Sequence, residues 1–190
     1  MPRVTDKRAT VLDAAIELVG TEGLRALTHR RVDTTANVPA GSTSNYFRTR
    51  QALVEGVLDR LLARDRIDAQ ALSGTTAPAS ARGLEDLMHD YVMFVTGPDI
   101  VRTRARFAMF VEAMATPELR AGVDARRGEL RTWVRGMLDA LGAEDSATGA
   151  RLLIDYLDGV ILHRCTAGVD EPDPRPGIAL AVRAALRTAA

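Results

Sequence analysis

The chain's 190 residues suffice for one sizeable core, or for a small domain joined to a medium one. A hydrophobic share of 46% beside 26% charged residues suits an ordinary globular chain and leaves no apolar run long enough to span a bilayer. The formal net charge is zero, yet residues 1–50 carry eight basic side chains against five acidic ones, so any polyanion partner would be met by local charge near the start.

One cysteine, Cys165, excludes an intrachain disulfide and points to a reducing compartment. The opening MPRVTDKR lacks the apolar stretch of a secretory signal. The expected location is therefore cytoplasmic, with no membrane partner.

Helical periodicity dominates, and no convincing strand alternation appears. The predicted fold class is all-α, with about nine helices. From Lys7 to about Gly20, Val11, Leu12, Ala15, Ile16, Leu18 and Val19 form an apolar stripe that Glu22-Gly23 stops. Thr28 caps a second helix running to about Thr35, and a short third fits Gly41–Phe47. Arg50 to about Leu72 reads as one long helix, followed by the loop Ser73–Ser80. Leu84, Leu87, Met88, Tyr91, Val92 and Val95 mark a fifth helix ending near Gly97-Pro98, and a sixth covers about Asp99–Ala115. Thr116-Pro117-Glu118 is a strong start signal for the seventh, with Gly142 past its end. The eighth runs from about Asp145 to Thr166, and the Pro-rich segment Asp170–Gly177 precedes a last helix, Ile178–Thr188.

Residues 28–47 have helix-turn-helix grammar. Val32 and Ala36, at i and i+4, give the first helix one apolar face, and Phe47 closes the second onto the core. Asn37 sits where the chain must reverse, and asparagine tolerates positive φ. The second helix is rich in small hydroxyl and amide side chains, which reach phosphates and base edges from the major groove.

Here the sequence resembles the Tet repressor (TetR) family. Gly23, Leu27-Thr28, Val32, Ala36, Val38, Gly41, Tyr46-Phe47, Arg50 and Leu53 supply the family pattern at matching spacing, over about residues 8–60. The resemblance implies a three-helix DNA-binding domain at residues 1–49, and a helical ligand-binding and dimerisation domain at 50–190 with helix 50–72 connecting. It implies DNA contact by Thr28, Arg30, Ala40, Gly41, Ser42, Thr43, Ser44, Asn45, Tyr46 and Arg50. Arg30 would reach a guanine edge or phosphate, residues 40–43 would approach the groove floor, and Ser44, Asn45 and Tyr46 would meet the backbone or flanking bases. Arg50 would hold a phosphate. Three positions depart from the pattern. Asp33 replaces a small alanine and must face solvent or pair with an arginine such as Arg30 or Arg31; Asn37 replaces the turn glycine; Ser44 stands where many members place a phosphate-contacting tyrosine.

A single helix-turn-helix contacts too few base pairs for specificity, so the expected partner is pseudo-palindromic double-stranded operator DNA bound by a homodimer. In TetR-like proteins the last two helices form the intersubunit bundle. The residues expected there are Ile154, Leu157, Gly159, Ile161, Ile178, Val182 and Leu186. Met88, Tyr91, Phe107, Phe110, Met114, Trp133, Met137, Tyr156 and His163 suit either plain core or the wall of an apolar cavity for a small-molecule effector.

The enzyme reading fails on inventory: three histidines, one cysteine, no Gly-rich phosphate loop and no nucleophile motif. His163 and Cys165, at i and i+2, point apart on a helix, so neither metal nor cofactor is expected. Asp170-Glu171-Pro172-Asp173 reads as a solvated acidic turn. The expected function is a DNA-binding transcriptional regulator, a repressor released by a small apolar or amphipathic ligand. The alternatives are an activator of the same fold, or a helical protein-interaction module with degenerate DNA binding.

Overall fold

The computed structural model describes residues 4–73, 77–167 and 171–187. Among these, the chain forms nine α-helices and no strand, so the all-α expectation holds. The helices are α1 Val4–Glu22, α2 His29–Thr35, α3 Ser42–Tyr46, α4 Arg50–Ser73, α5 Ala81–Thr96, α6 Ile100–Ala115, α7 Pro117–Ala140, α8 Ser146–Thr166 and α9 Arg175–Leu186. The predicted loop 73–80, the Pro-rich segment with its acidic turn and the end of the last helix fall partly outside the described residues, at 74–76, 168–170 and 188. No helix among the described residues is long and apolar enough to cross a membrane.

The chain divides into two compact units. The first comprises Met1–Leu72 with Val101–Asp124. Its core joins Val11, Leu12, Ile16 and Val19 of α1 to Leu27, Val32, Phe47, the Leu53–Leu62 stripe of α4 and Ala105, Met109 and Ala113 of α6. Gly20 lets α6 approach α1 closely, because a Cβ there would strike the Val101 carbonyl. Two aspartates anchor ion pairs that bridge the helices. Asp13 of α1 receives Arg60 at 2.8 and 2.9 Å and Arg64 at 3.3 Å, both from α4. Asp65 of α4 receives Arg106 of α6 at 2.6 and 3.0 Å, with both side chains largely buried. Burial alone would raise the Asp13 carboxyl, but the hydrogen bonds and charges of Arg60 and Arg64 outweigh it and hold it below its ordinary value.

The second unit comprises Ser73–Ile100 with Ala125–Ala190, in which α5, α8 and α9 pack together. Ser80 caps α5 by accepting from the Gly83 amide, and Asp145 caps α8 by accepting from the Ala147 and Thr148 amides. Gly142, at φ 78°, ends α7 with the Ala143 amide bonded back to the Leu138 carbonyl. The last helix begins at Arg175, three residues before the expected Ile178, because Pro176 fits the first turn, where no backbone N–H is needed. Ile154, Leu157 and Ile161 of α8 and Ile178 and Val182 of α9 are buried within this unit. That corrects the expectation that they form an outward surface: the apolar stripes of both helices are covered by the chain's own packing. The large apolar side chains left exposed on these helices are Leu152, Leu162 and Leu180.

Candidate nucleic-acid interface

The helix-turn-helix lies at α2 and α3, as its spacing predicts. Thr28, in extended backbone, caps α2 with its hydroxyl accepting from the Arg31 amide at 3.4 Å. Asn37 adopts φ 51° in the turn, so the residue that replaces glycine takes the left-handed conformation glycine would have supplied. Gly41, at φ 89°, immediately precedes α3. Gly56 of α4 leaves space for the Phe47 ring, and the Arg8 guanidinium lies 5.2 Å from that ring's centroid.

Asp33 takes neither of its two expected environments. It is 5% exposed and accepts from the Gly41 amide at 2.7 Å, the Thr43 amide at 2.8 Å and the Thr43 hydroxyl at 2.5 Å. Burial would raise this carboxyl, but the Thr43 and Gly41 hydrogen bonds, with His29 nearby, hold it below its ordinary value. Sequence reasoning missed this role because the donors stand eight and ten residues away, across the turn. It also missed His29, whose Nε2 lies 2.6 Å from the Phe47 carbonyl oxygen.

The predicted DNA-contacting residues do not all face outward. Thr28, Arg30, Ala40, Gly41, Ser44, Asn45 and Arg50 are exposed, and Ser42 and Tyr46 are half-buried. Thr43 is fully buried on Asp33, which removes its side chain from the groove-facing set. Arg50 donates to the Leu24 carbonyl at 3.1 Å. Arg31 is committed to Glu22, with both contacts at 2.6 Å, whereas Arg30 and Arg48 are exposed and free of ion pairs among the described residues.

The predicted effector residues divide between the units. Phe107 and Phe110 of α6 are half-buried and meet edge to face at 6.0 Å in the first unit. Met114 follows them on α6 but is 72% exposed. The buried positions Ala105, Met109 and Ala113 repeat every four residues and turn Met114 away, so it is not a buried wall within its unit. In the second unit Met88 and Met137 are buried, Tyr91, Trp133 and Tyr156 are half-buried, and His163 is exposed while Cys165 is buried. Among the described residues no cluster of three or more His, Cys, Asp or Glu side chains could hold a metal.

Known proteins match this architecture. The family described as "Tetracyclin repressor-like, C-terminal domain" matches residues 79–188. The HTH-type transcriptional regulator BetI of Rhizobium meliloti (strain 1021) is 28% identical over 155 residues, covering 80% of this chain and 75% of that protein. A TetR-family member from Streptomyces coelicolor A3 superposes with a TM-score of 0.69 at 27% identity, covering 96% of this chain and 99% of that one. The multidrug binding protein EbrR, solved with imidazole, gives a TM-score of 0.66 at 26% identity, covering 100% and 98%. The matched model takes in more than half of the chain, and the helix-turn-helix lies ahead of it: this chain belongs to the TetR family of DNA-binding transcriptional regulators.

Proposed function

We propose that the chain is a homodimeric repressor whose residues 1–49 read operator DNA and whose residues 50–190 bind an effector and dimerise, with helix 50–72 connecting them. The observation that carries the DNA-binding part is the disposition of α3: its apolar and Asp33-bonded side is packed away, while Ser44, Asn45 and the preceding Ala40-Gly41 stay exposed. Arg30, Ser42, Tyr46, Arg48 and Arg50 flank them in sequence and supply positive charge and hydroxyl donors for phosphates. Thr28 serves as the cap of α2 with its side chain still exposed. The interaction-module reading loses half its support, since the unusual Asp33 has an internal structural task.

The dimer surface we infer differs from the apolar residues first expected. On α8, Leu152, Asp155, Gly159, Leu162 and Thr166 follow alternating three- and four-residue spacing, and open space surrounds Gly159. Leu180 lies on α9 at 63% exposure, and Leu186 near its end is half-buried. A second copy would cover these leucines and bring two recognition helices to related half-sites.

The effector we propose is small and apolar or amphipathic, supported by the half-buried Tyr91, Trp133 and Tyr156 of the second unit and by the fact that EbrR is solved with ethidium and with imidazole. Release requires the ligand to favour a form in which the two recognition helices no longer match the operator. The DNA face is tested by Arg30→Ala and Arg50→Ala in a salt-titrated binding assay. Losing a phosphate contact lowers affinity across sequences and reduces the salt slope by about 1. Unchanged operator binding in both variants would show that the docking face is wrong.

A further inference from the structure

Residues 29 and 33 lie one turn apart on α2, so their side chains leave that helix on the same face. They reach opposite ends of α3. At the start, the Asp33 carboxylate accepts from the Gly41 and Thr43 amides and from the Thr43 hydroxyl. Just past the end, His29 Nε2 lies 2.6 Å from the Phe47 carbonyl oxygen. A carbonyl oxygen only accepts, so Nε2 carries the hydrogen and donates. The polarity suits the helix, with an anion at its free amides and a donor at its last carbonyls.

The helix so held could not hold itself. Its five residues, Ser-Thr-Ser-Asn-Tyr, are mediocre helix formers in a segment far too short to persist alone. Gly41, at φ 89°, leaves the chain free to swivel just ahead of it. Packing of Phe47 and Tyr46 anchors one end only. We propose that His29 and Asp33 form a two-ended clamp that sets the angle of the recognition helix and thereby the specificity of base reading. They are positioning residues: Asp33 is buried, His29 is half-buried, and both act through α3. The carboxylate also occupies amides that a phosphate would otherwise take, which leaves groove contact to the exposed side chains of the segment. The inference rests on the DNA-binding reading above.

The test uses the full chain and an operator recovered from random duplexes, with a scrambled duplex of equal length at the same salt. The clamp variants are Asp33→Asn, Thr43→Val and His29→Ala, compared at a temperature where circular dichroism shows each one folded. His29→Gln and Thr43→Ser keep a donor in place and serve as rescues. The expected result is operator binding weaker by roughly tenfold, scrambled binding within about twofold, and near-wild-type behaviour in the rescues. A purely structural role would instead weaken both duplexes by the same factor, or neither, and either outcome overturns the clamp. If Asp33→Asn fails to fold, Thr43→Val and His29→Ala decide the matter. Should the wild-type chain enrich no sequence, the DNA-binding reading falls together with the clamp; enrichment with an unchanged operator-to-scrambled ratio in the variants sinks the clamp alone.

Discussion

Replacing Gly149 with alanine sets two effects of opposite sign against each other. The residue lies in the first turns of α8, where exchanging glycine for alanine favours the helix by about 1 kcal/mol. Against that gain, a Cβ at Gly149 would collide with the Ala185 carbonyl oxygen of α9 and stand 3.2 Å from Leu138 Cδ1 of α7. The obstacle is backbone within a packed helix, so it cannot be relieved by turning a side chain. Overpacking of this kind costs roughly 1–3 kcal/mol, and a backbone obstacle belongs at the upper end. The net expectation is a loss of about 1–2 kcal/mol, equivalent to a fall in Tm of roughly 2–8 °C for a chain of this size. Gly136→Ala on α7 is the matched control: a Cβ there meets nothing within 4 Å, so only the helix term remains and stability should rise. Thermal and urea melts by circular dichroism, at one fixed protein concentration, read both variants. A Gly149→Ala protein that melts at or above the wild-type temperature would refute the close α8–α9 approach.

Other perturbations test separate parts of the account. Asp13 and Asp33 are both held below the ordinary aspartate value of about 3.9, so the stability they contribute is fully present above that value and is lost as pH falls through their lower folded-state values. Urea midpoints measured from about pH 6 down to pH 2 should therefore fall less steeply in Asp33→Asn than in the wild-type chain; parallel curves would contradict the assigned hydrogen bonds. Asp65→Ala removes a largely buried carboxylate from the Arg106 guanidinium and should cost about 3 kcal/mol, whereas apolar replacement of both partners should cost much less. Equal losses in the single and double variants would count against the pair. Leu180→Arg, at an exposed position, should keep the helical circular dichroism of the folded chain while shifting sedimentation mass towards the monomer. An unaltered dimer would place the intersubunit contact elsewhere.

The all-α fold was legible because its signals are local. Apolar stripes at helical spacing, the Thr116-Pro117-Glu118 start and the glycine after α7 each act within a few residues, and the observed helices follow them. The turn was legible for the same reason: Asn37 is a residue that tolerates the left-handed backbone it adopts. What the sequence concealed was the identity of partners. Apolar patterning shows that Ile154, Leu157, Ile161, Ile178 and Val182 are covered, but not that α5, α8 and α9 of the same chain cover them. Asp33 posed the same difficulty with polar chemistry. A carboxylate amid arginines invites an ion pair, yet the backbone amides of Gly41 and Thr43 claim it, and amides leave no trace in a residue code. Thr43 looked like a groove-facing hydroxyl until that carboxylate fixed its direction.

The central claim is that α3, presented twice by a symmetric dimer, reads DNA sequence. Selection of bound fragments from a pool of random duplexes, followed by sequencing, tests it most directly. The account predicts enrichment of one pseudo-palindromic site with two related half-sites about one helical turn, or a whole number of turns, apart. Recovery of no preferred sequence, or of a single half-site without its inverted repeat, would contradict it.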